Sequence, residues 1–65
     1  MKNYLPETFV NLRVQLGRTQ AEMARLLGVS VSTWVSWEKG HRQPKMENYK
    51  NLDTLLRYAQ GRMMK

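Results

Sequence analysis

The stretch that decides the fold is residues 19–40, which read TQAEMARLLGVSVSTWVSWEKG. Its apolar spacing predicts two short helices, over residues 20–27 and about 31–39. Each helix follows a Thr or Ser that can cap a free backbone N–H, and each precedes a glycine that tolerates a left-handed turn. These bounding residues are Thr19, Gly28, Ser30 and Gly40. Because only Val29 lies between the first stop and the second cap, the sequence predicts two helices joined by a very tight turn.

One further helix is predicted on each side of this stretch. The first begins at Pro6, whose missing N–H costs nothing in an opening turn, and ends at Gly17. The last runs from about Met46 to Gln60, with Gly61 as its stop. Apolar residues recur at helical spacing at Phe9, Leu12 and Leu16 in the first helix and at Tyr49, Leu52, Leu56 and Ala59 in the last. The prediction is a single all-α domain over residues 1–65, a compact bundle of four to five helices.

Composition limits the classes of protein that this chain can belong to. It has 65 residues, eleven basic and five acidic side chains, a formal net charge of +6 and no cysteine. With His41 as the single histidine, neither a Cys/His zinc site nor a disulfide framework can form, so we expect no metal and no cofactor. No apolar stretch approaches the ~20 residues of a membrane span, and the N-terminus lacks the apolar core of a signal peptide, so we expect a cytoplasmic protein. A pI near 10.2 favours a polyanionic partner such as nucleic acid.

The two central helices match the requirements of a helix-turn-helix. In that motif the first helix braces the second at a steep angle, so that the second can enter a DNA groove. Ala24 is small enough to let the two backbones approach. At 100° per residue, Trp34 and Trp37 lie on the inner side of the second helix and Ser32 and Ser36 on the outer side. On a basic chain this arrangement predicts a DNA-binding domain.

The same residues resemble the Cro/repressor type of helix-turn-helix domain found in phage repressors and small bacterial regulators. The resemblance covers about residues 9–45 in unbroken register. It is carried by Leu12-Arg13, TQAEMA at 19–24, LGVS at 27–30, Ser32-Thr33, WEKG at 37–40 and Pro44. It implies a fold like that of lambda repressor and a sequence-specific regulator of transcription, most simply a repressor that binds double-stranded DNA.

The resemblance also implies roles for single residues. The base-reading positions correspond to Val31, Ser32, Val35 and Ser36. Many relatives carry Gln, Arg or Asn at one or more of these positions, whereas hydroxyl and isopropyl groups offer few bidentate contacts to bases. We therefore expect DNA shape and bridging water to carry part of the specificity. Arg13 and Glu38 match a structural ion pair between the first helix and the recognition helix, and Trp34 departs from the isoleucine or valine usual at its position.

Basic side chains flank the predicted recognition helix on both sides. Four potential cations lie within seven residues after it, with no acidic residue among them. The predicted phosphate contacts are Lys39, His41, Arg42 and Lys45, together with Arg18 and Gln20 near the start of the preceding helix. The plainer interpretation is a solvated basic loop, and for Gln20 simple polarity at a helix start. Position directly after the recognition helix favours the phosphate contacts.

The last helix carries more apolar residues than one small domain is expected to cover. Leu55 and Tyr58 fall on its flank, and Met63 lies just beyond. A surplus of this kind predicts a homodimer, which would bind an inverted-repeat, palindromic operator. Alternatively, Leu55 and Tyr58 cover the surface of a monomer.

A second class of function stays open at this point. An antitoxin or adaptor could use the same fold mainly to bind another protein, and it would show an apolar patch where a DNA-binding protein shows positive charge. An enzyme is disfavoured because the five carboxylates form no evident pair and no nucleophile has an orienting acid.

Overall fold

The computed structural model describes the backbone of residues 4–63 and the side chains of residues 4–61. This part of the chain contains four helices and no strand, which confirms the all-α prediction. The helices are α1 (Pro6–Leu16), α2 (Gln20–Leu27), α3 (Val31–Lys39) and α4 (Met46–Met63). α3 packs against α1 and α2, and α4 packs against the same two helices.

The caps predicted for α2 and α3 are present. The Thr19 hydroxyl accepts from the N–H of Glu22 at 3.1 Å, while the Glu22 carboxylate accepts from the N–H of Thr19 at 2.8 Å, so both halves of a capping box form. The Ser30 hydroxyl accepts from the N–H of Thr33 at 3.1 Å. Gly28 ends α2 with φ of 67°, a conformation that side chains with a Cβ rarely adopt. The tight turn between α2 and α3 therefore depends on local chemistry that is visible in the sequence.

The end of the last helix was predicted wrongly. α4 continues through Gly61 to Met63, beyond the expected end at Gln60. A glycine inside a helix costs only about 1 kcal/mol relative to alanine, and it stops a helix only where the chain adopts a left-handed turn. Positive φ is found at the other three glycines, which follow α1, α2 and α3.

The core is built around the two tryptophans of α3. Trp34 and Trp37 are 0% and 1% exposed, and their ring centroids lie 5.6 Å apart. Phe9 of α1 contacts both, with centroid distances of 5.6 and 5.5 Å. The predicted inner face of α3 is thus confirmed, and Ala24 is also buried. The other buried residues of this core are Leu12, Met23, Leu27, Leu52 and Ala59.

The four helices described here are not membrane spans, since none of them combines the length and the apolar content that crossing a bilayer requires.

Candidate nucleic-acid interface

The outer side of α3 presents small side chains to solvent. Because Trp34 and Trp37 occupy the inner side, the helix turns Ser32 outward and leaves Val31 46% exposed. The other two predicted base-reading residues, Val35 and Ser36, are half-buried. Such a face can contact base edges through hydroxyl groups and thymine methyl groups through the valines.

A single carboxylate joins three helices behind this face. Glu38 of α3 accepts from Nε of Arg13 in α1 at 2.6 Å and from Nε2 of Gln20 in α2 at 3.0 Å. It also accepts from Nε1 of Trp34, one turn earlier in α3, at 2.6 Å. Arg13 and Glu38, the predicted ion pair, are therefore in contact, and two neutral donors share the same carboxylate. These bonds set the position of α3 relative to the helices that brace it.

The environment of Glu38 favours its ionised form. The side chain is only 8% exposed, and this burial raises the pKa of the carboxyl. Hydrogen bonds from Arg13, Gln20 and Trp34, with the charge of Arg13, act in the opposite direction and prevail, so the pKa of Glu38 is lowered from its ordinary value of 4.5. The bond from Trp34 was not predicted from the sequence. The i, i+4 spacing of Trp34 and Glu38 on one helix permits the contact, but the rotamers of both residues decide whether it forms.

The two residues predicted to contact phosphates near the start of α2 have partners within the protein. One N–H of the Gln20 amide is bonded to Glu38, and its second N–H can still donate to a phosphate. Arg18 lies 3.6 Å from Glu22, and both side chains are about half exposed, so this surface ion pair contributes little to stability. Both residues lie beside the N-terminus of α2, where an anion is favoured.

The C-terminal end of α3 and the segment after it, residues 41–45 (the basic segment), expose their basic side chains. Lys39 at the end of α3 and His41, Arg42 and Lys45 in the basic segment are exposed, whereas Pro44 is buried. The backbone leaves α3 through Gly40, and the N–H of His41 donates to the carbonyl oxygen of Ser36 at 2.9 Å. The basic side chains therefore follow directly on the C-terminal end of the candidate recognition helix.

A cavity of about 220 Å³ connects this segment with the start of α3. Its walls include Ser30 and Thr33 from the α3 cap and Arg42 and Lys45 from the basic segment. Hydroxyl groups near the start of α3 and basic side chains that follow its other end thus border one cavity, together with the carboxylate of Glu47. Hydroxyl and basic side chains are among the groups that contact the DNA backbone.

A different surface carries apolar residues. A groove of about 400 Å³ lies between the ends of α1 and α2 and the side of α4. It is lined by Leu16, Leu26, Leu55 and Tyr58, together with Arg18 and Thr54. Tyr58 is 58% exposed and Leu26 is 51% exposed. The expectation that Leu55 is left uncovered was wrong in part, because Leu55 is half-buried and packs against the core. The side chain of Met63, also predicted to dimerise, lies outside the described residues.

Two residues of these two surfaces were not predicted from the sequence, namely Leu26 in the apolar groove and Gln43 in the basic segment. Leu26 was overlooked, although of the adjacent pair Leu26 and Leu27 only one can point to the core of an amphipathic helix. Gln43 bonds to the backbone of Tyr4, 39 positions earlier, and no local pattern reveals such a contact. Within the described residues, no group of three or more potential metal ligands lies together.

Comparison with known families supports this assignment of the central motif. A family model described as helix-turn-helix matches residues 11–59, which is more than half of the chain. The match includes all of α2 and α3 and most of α4. Neither the comparison with curated proteins nor the comparison with solved structures returned a match.

Proposed function

We propose, since the chain belongs to the helix-turn-helix family of the Cro/C1 type, that it binds double-stranded DNA at specific sequences and represses transcription by occupying a promoter. The observation that supports this best is the outer side of α3. It presents Val31 and Ser32 to solvent, and the basic side chains Lys39, Arg42 and Lys45 at and after its C-terminal end are exposed as well. Base edges would be read by the helix, and phosphates would set its register on the duplex.

Specific affinity requires more than one such helix. The base-reading set Val31, Ser32, Val35 and Ser36 contains no side chain that can make a bidentate contact with a base. Two copies related by a two-fold axis would read half-sites about one turn of DNA, ~34 Å, apart. The proposal therefore includes a homodimer on an inverted-repeat operator, with the groove of Leu26, Leu55 and Tyr58 as the contact between copies.

Selection from a random duplex library tests the proposal. The chain is expected to enrich an inverted repeat, and Ser32→Ala is expected to weaken binding to the selected site by about 1–3 kcal/mol while binding to random DNA changes little. Asn51→Ala serves as the control, because Asn51 is an exposed polar residue of α4 outside the proposed interface. Equal losses of affinity for the selected and the random duplexes would show that Ser32 does not read bases.

The groove also supports a second candidate function. An antitoxin or adaptor would use Leu26, Leu55 and Tyr58 to bind a different protein. The same selection separates the two functions, since an adaptor would enrich no duplex sequence.

A further inference from the structure

The segment that carries the basic side chains is tied to the N-terminal end of the described chain. The backbone N–H of Tyr4 donates to Oε1 of Gln43 at 2.9 Å, and Nε2 of Gln43 donates to the carbonyl oxygen of Tyr4 at 2.9 Å. The side-chain amide thus makes the two bonds that a neighbouring peptide group would make. Rotating the amide by 180° would break both, because donor would then meet donor and acceptor would meet acceptor.

Tyr4 is itself attached to the body of the protein. Its hydroxyl donates to Oδ1 of Asp53 in α4 at 3.0 Å. Its ring lies 5.7 Å from that of Phe9 and 5.9 Å from that of Tyr49, measured between centroids. Phe9 belongs to the buried core. The two bonds to Gln43 therefore connect the basic segment to α1 and α4 through one residue.

Three points fix this segment, and its basic side chains lie between and beside them. At Gly40, a Cβ would come within 2.9 Å of Cγ of Pro6, so the N-terminal segment covers the point where the chain leaves α3. Gln43 is bonded to Tyr4, and Pro44 is buried. The exposed residues between and beside these points are His41, Arg42 and Lys45. The backbone is thus restrained while the charged side chains remain free to reach a ligand.

We propose that Gln43 is a positioning residue for binding to the DNA backbone. By pairing with Tyr4 it holds the segment over residues 41–45 in the conformation in which its cations meet phosphates. This rests on the DNA-binding function proposed above. A neutral amide adds no charge, so Gln43 would contribute by holding the segment in its binding conformation before DNA arrives. When only a fraction of the molecules has that conformation, the apparent affinity for DNA is reduced to that fraction of its full value.

Binding measured against salt concentration tests the proposal. Gln43→Ala is expected to bind both the selected and a random duplex roughly tenfold more weakly, as for a segment competent about one-tenth of the time. The slope of log K against log salt is expected to stay at the wild-type value, because every cation still reaches its phosphate in the complex. Gln15→Ala, which removes an exposed glutamine of α1, is the matched control and is expected to bind as the wild type does.

A second variant separates positioning from direct contact with DNA. Tyr4→Phe removes the bond to Asp53 and keeps the ring, so it loosens the anchor of Gln43 without altering the basic segment. If both residues act through one attachment, the double variant is expected to bind little more weakly than Gln43→Ala alone. In free Gln43→Ala, faster hydrogen exchange of the Tyr4 amide with unchanged exchange in α3 would show that the attachment opens locally.

The outcomes distinguish this proposal from the function on which it rests. If the wild type binds no duplex, the proposed function is wrong and the positioning role falls with it. If the wild type binds and Gln43→Ala binds within twofold of it, with or without a lower melting temperature, the positioning role alone is wrong. Additive losses in the Tyr4→Phe and Gln43→Ala pair would likewise overturn it.

Discussion

Glu38 shows how one side chain orients a whole helix. Its side chain is 8% exposed, and its carboxylate accepts hydrogen bonds from Arg13, Gln20 and Trp34, which lie on three helices. Taking a carboxylate out of water is costly, and good hydrogen bonds mainly offset that cost. The network is therefore expected to select one orientation of α3 more than to add net stability. Gln20 takes part in it, so the predicted phosphate contact and the predicted ion pair are parts of one structure.

The lowered pKa of Glu38 predicts a pH dependence of stability. A carboxyl whose pKa is lower in the folded than in the unfolded protein stabilises the fold above the unfolded value, near 4.5, and this stabilisation is lost as the pH falls through the lowered pKa. Urea unfolding between pH 7 and pH 3 is expected to show this loss. Glu38→Gln is expected to reduce the loss and to cost about 2 kcal/mol at pH 7, because the hydrogen bonds then lack a charged acceptor.

Two comparisons make the pH experiment specific. Glu47→Gln neutralises an exposed carboxylate at the start of α4 and is the matched control. Glu22 contributes to the pH dependence of stability in every variant, because the backbone hydrogen bond from Thr19 lowers the pKa of Glu22 as well. A Glu38→Gln variant with the full wild-type pH dependence would contradict the role assigned to this network.

At single positions the sequence predicted burial better than it predicted bonding. The helical period placed Trp34 and Trp37 inside, and both are buried. The same period does not say that the indole N–H of Trp34 meets Glu38, because that bond depends on the rotamers of both residues. A buried indole usually finds an acceptor, and Trp34 finds it on its own helix.

At the scale of elements, the glycines that end α2 and α3 differ in the space available for the methyl group of an alanine. Gly28 and Gly40 both have positive φ, at 67° and 79°, so alanine is strained at either position. Space is open around Gly28, whereas a Cβ at Gly40 would lie 2.9 Å from the ring of Pro6. We expect Gly28→Ala to cost about 1 kcal/mol of unfolding free energy and Gly40→Ala clearly more. Thermal melting of both variants measures the difference, and equal costs would show that Pro6 does not restrain this turn.

The basic segment predicts a strong effect of salt on DNA binding. Each cation that meets a phosphate contributes about −0.9 to the slope of log K against log salt. Arg42→Ala is therefore expected to make that slope shallower by about 1, and Lys45→Ala likewise. Arg57→Ala, an exposed arginine of α4 outside the proposed interface, is the control and is expected to leave the slope unchanged. An affinity independent of salt would contradict the assignment of these cations.

The ends of a helix were predictable where a capping side chain or a left-handed glycine sets them, and unpredictable where neither does. Thr19, Gly28, Ser30 and Gly40 act through their own backbone angles and side chains, so α2 and α3 begin and end where the sequence indicates. Gly61 lacks any such requirement, and α4 continues through it. A glycine near the end of a periodic stretch is thus a weaker signal than a capping box.

At the scale of the whole molecule, contacts between distant residues decide what the sequence could not reveal. The pairing of Tyr4 with Gln43 spans 39 positions, and it joins a residue that precedes α1 to the segment between α3 and α4. The groove between Leu16, Leu26 and Tyr58 likewise combines residues of three helices. Periodicity within α4 alone predicted Tyr58 on a flank, where it is 58% exposed, but it could not show that residues of α1 and α2 complete this apolar surface.

This composite surface makes the homodimer a sharper prediction than α4 alone allowed. Leu26→Lys and Tyr58→Lys place a charge in the groove from different helices, and each is expected to give a folded monomer, because both side chains are more than half exposed in a single copy. Without the second recognition helix, each variant is expected to bind the inverted repeat much more weakly and a half-site about as well as the wild type. Sedimentation at micromolar concentration measures the first effect, and binding to duplexes with one or two half-sites measures the second.

Val14→Lys is the matched control for the charge introduced into the groove. Val14 is an apolar residue that is 64% exposed and lies outside the residues that line the groove. A wild type that is monomeric both free and on DNA would show that the groove does not join two copies.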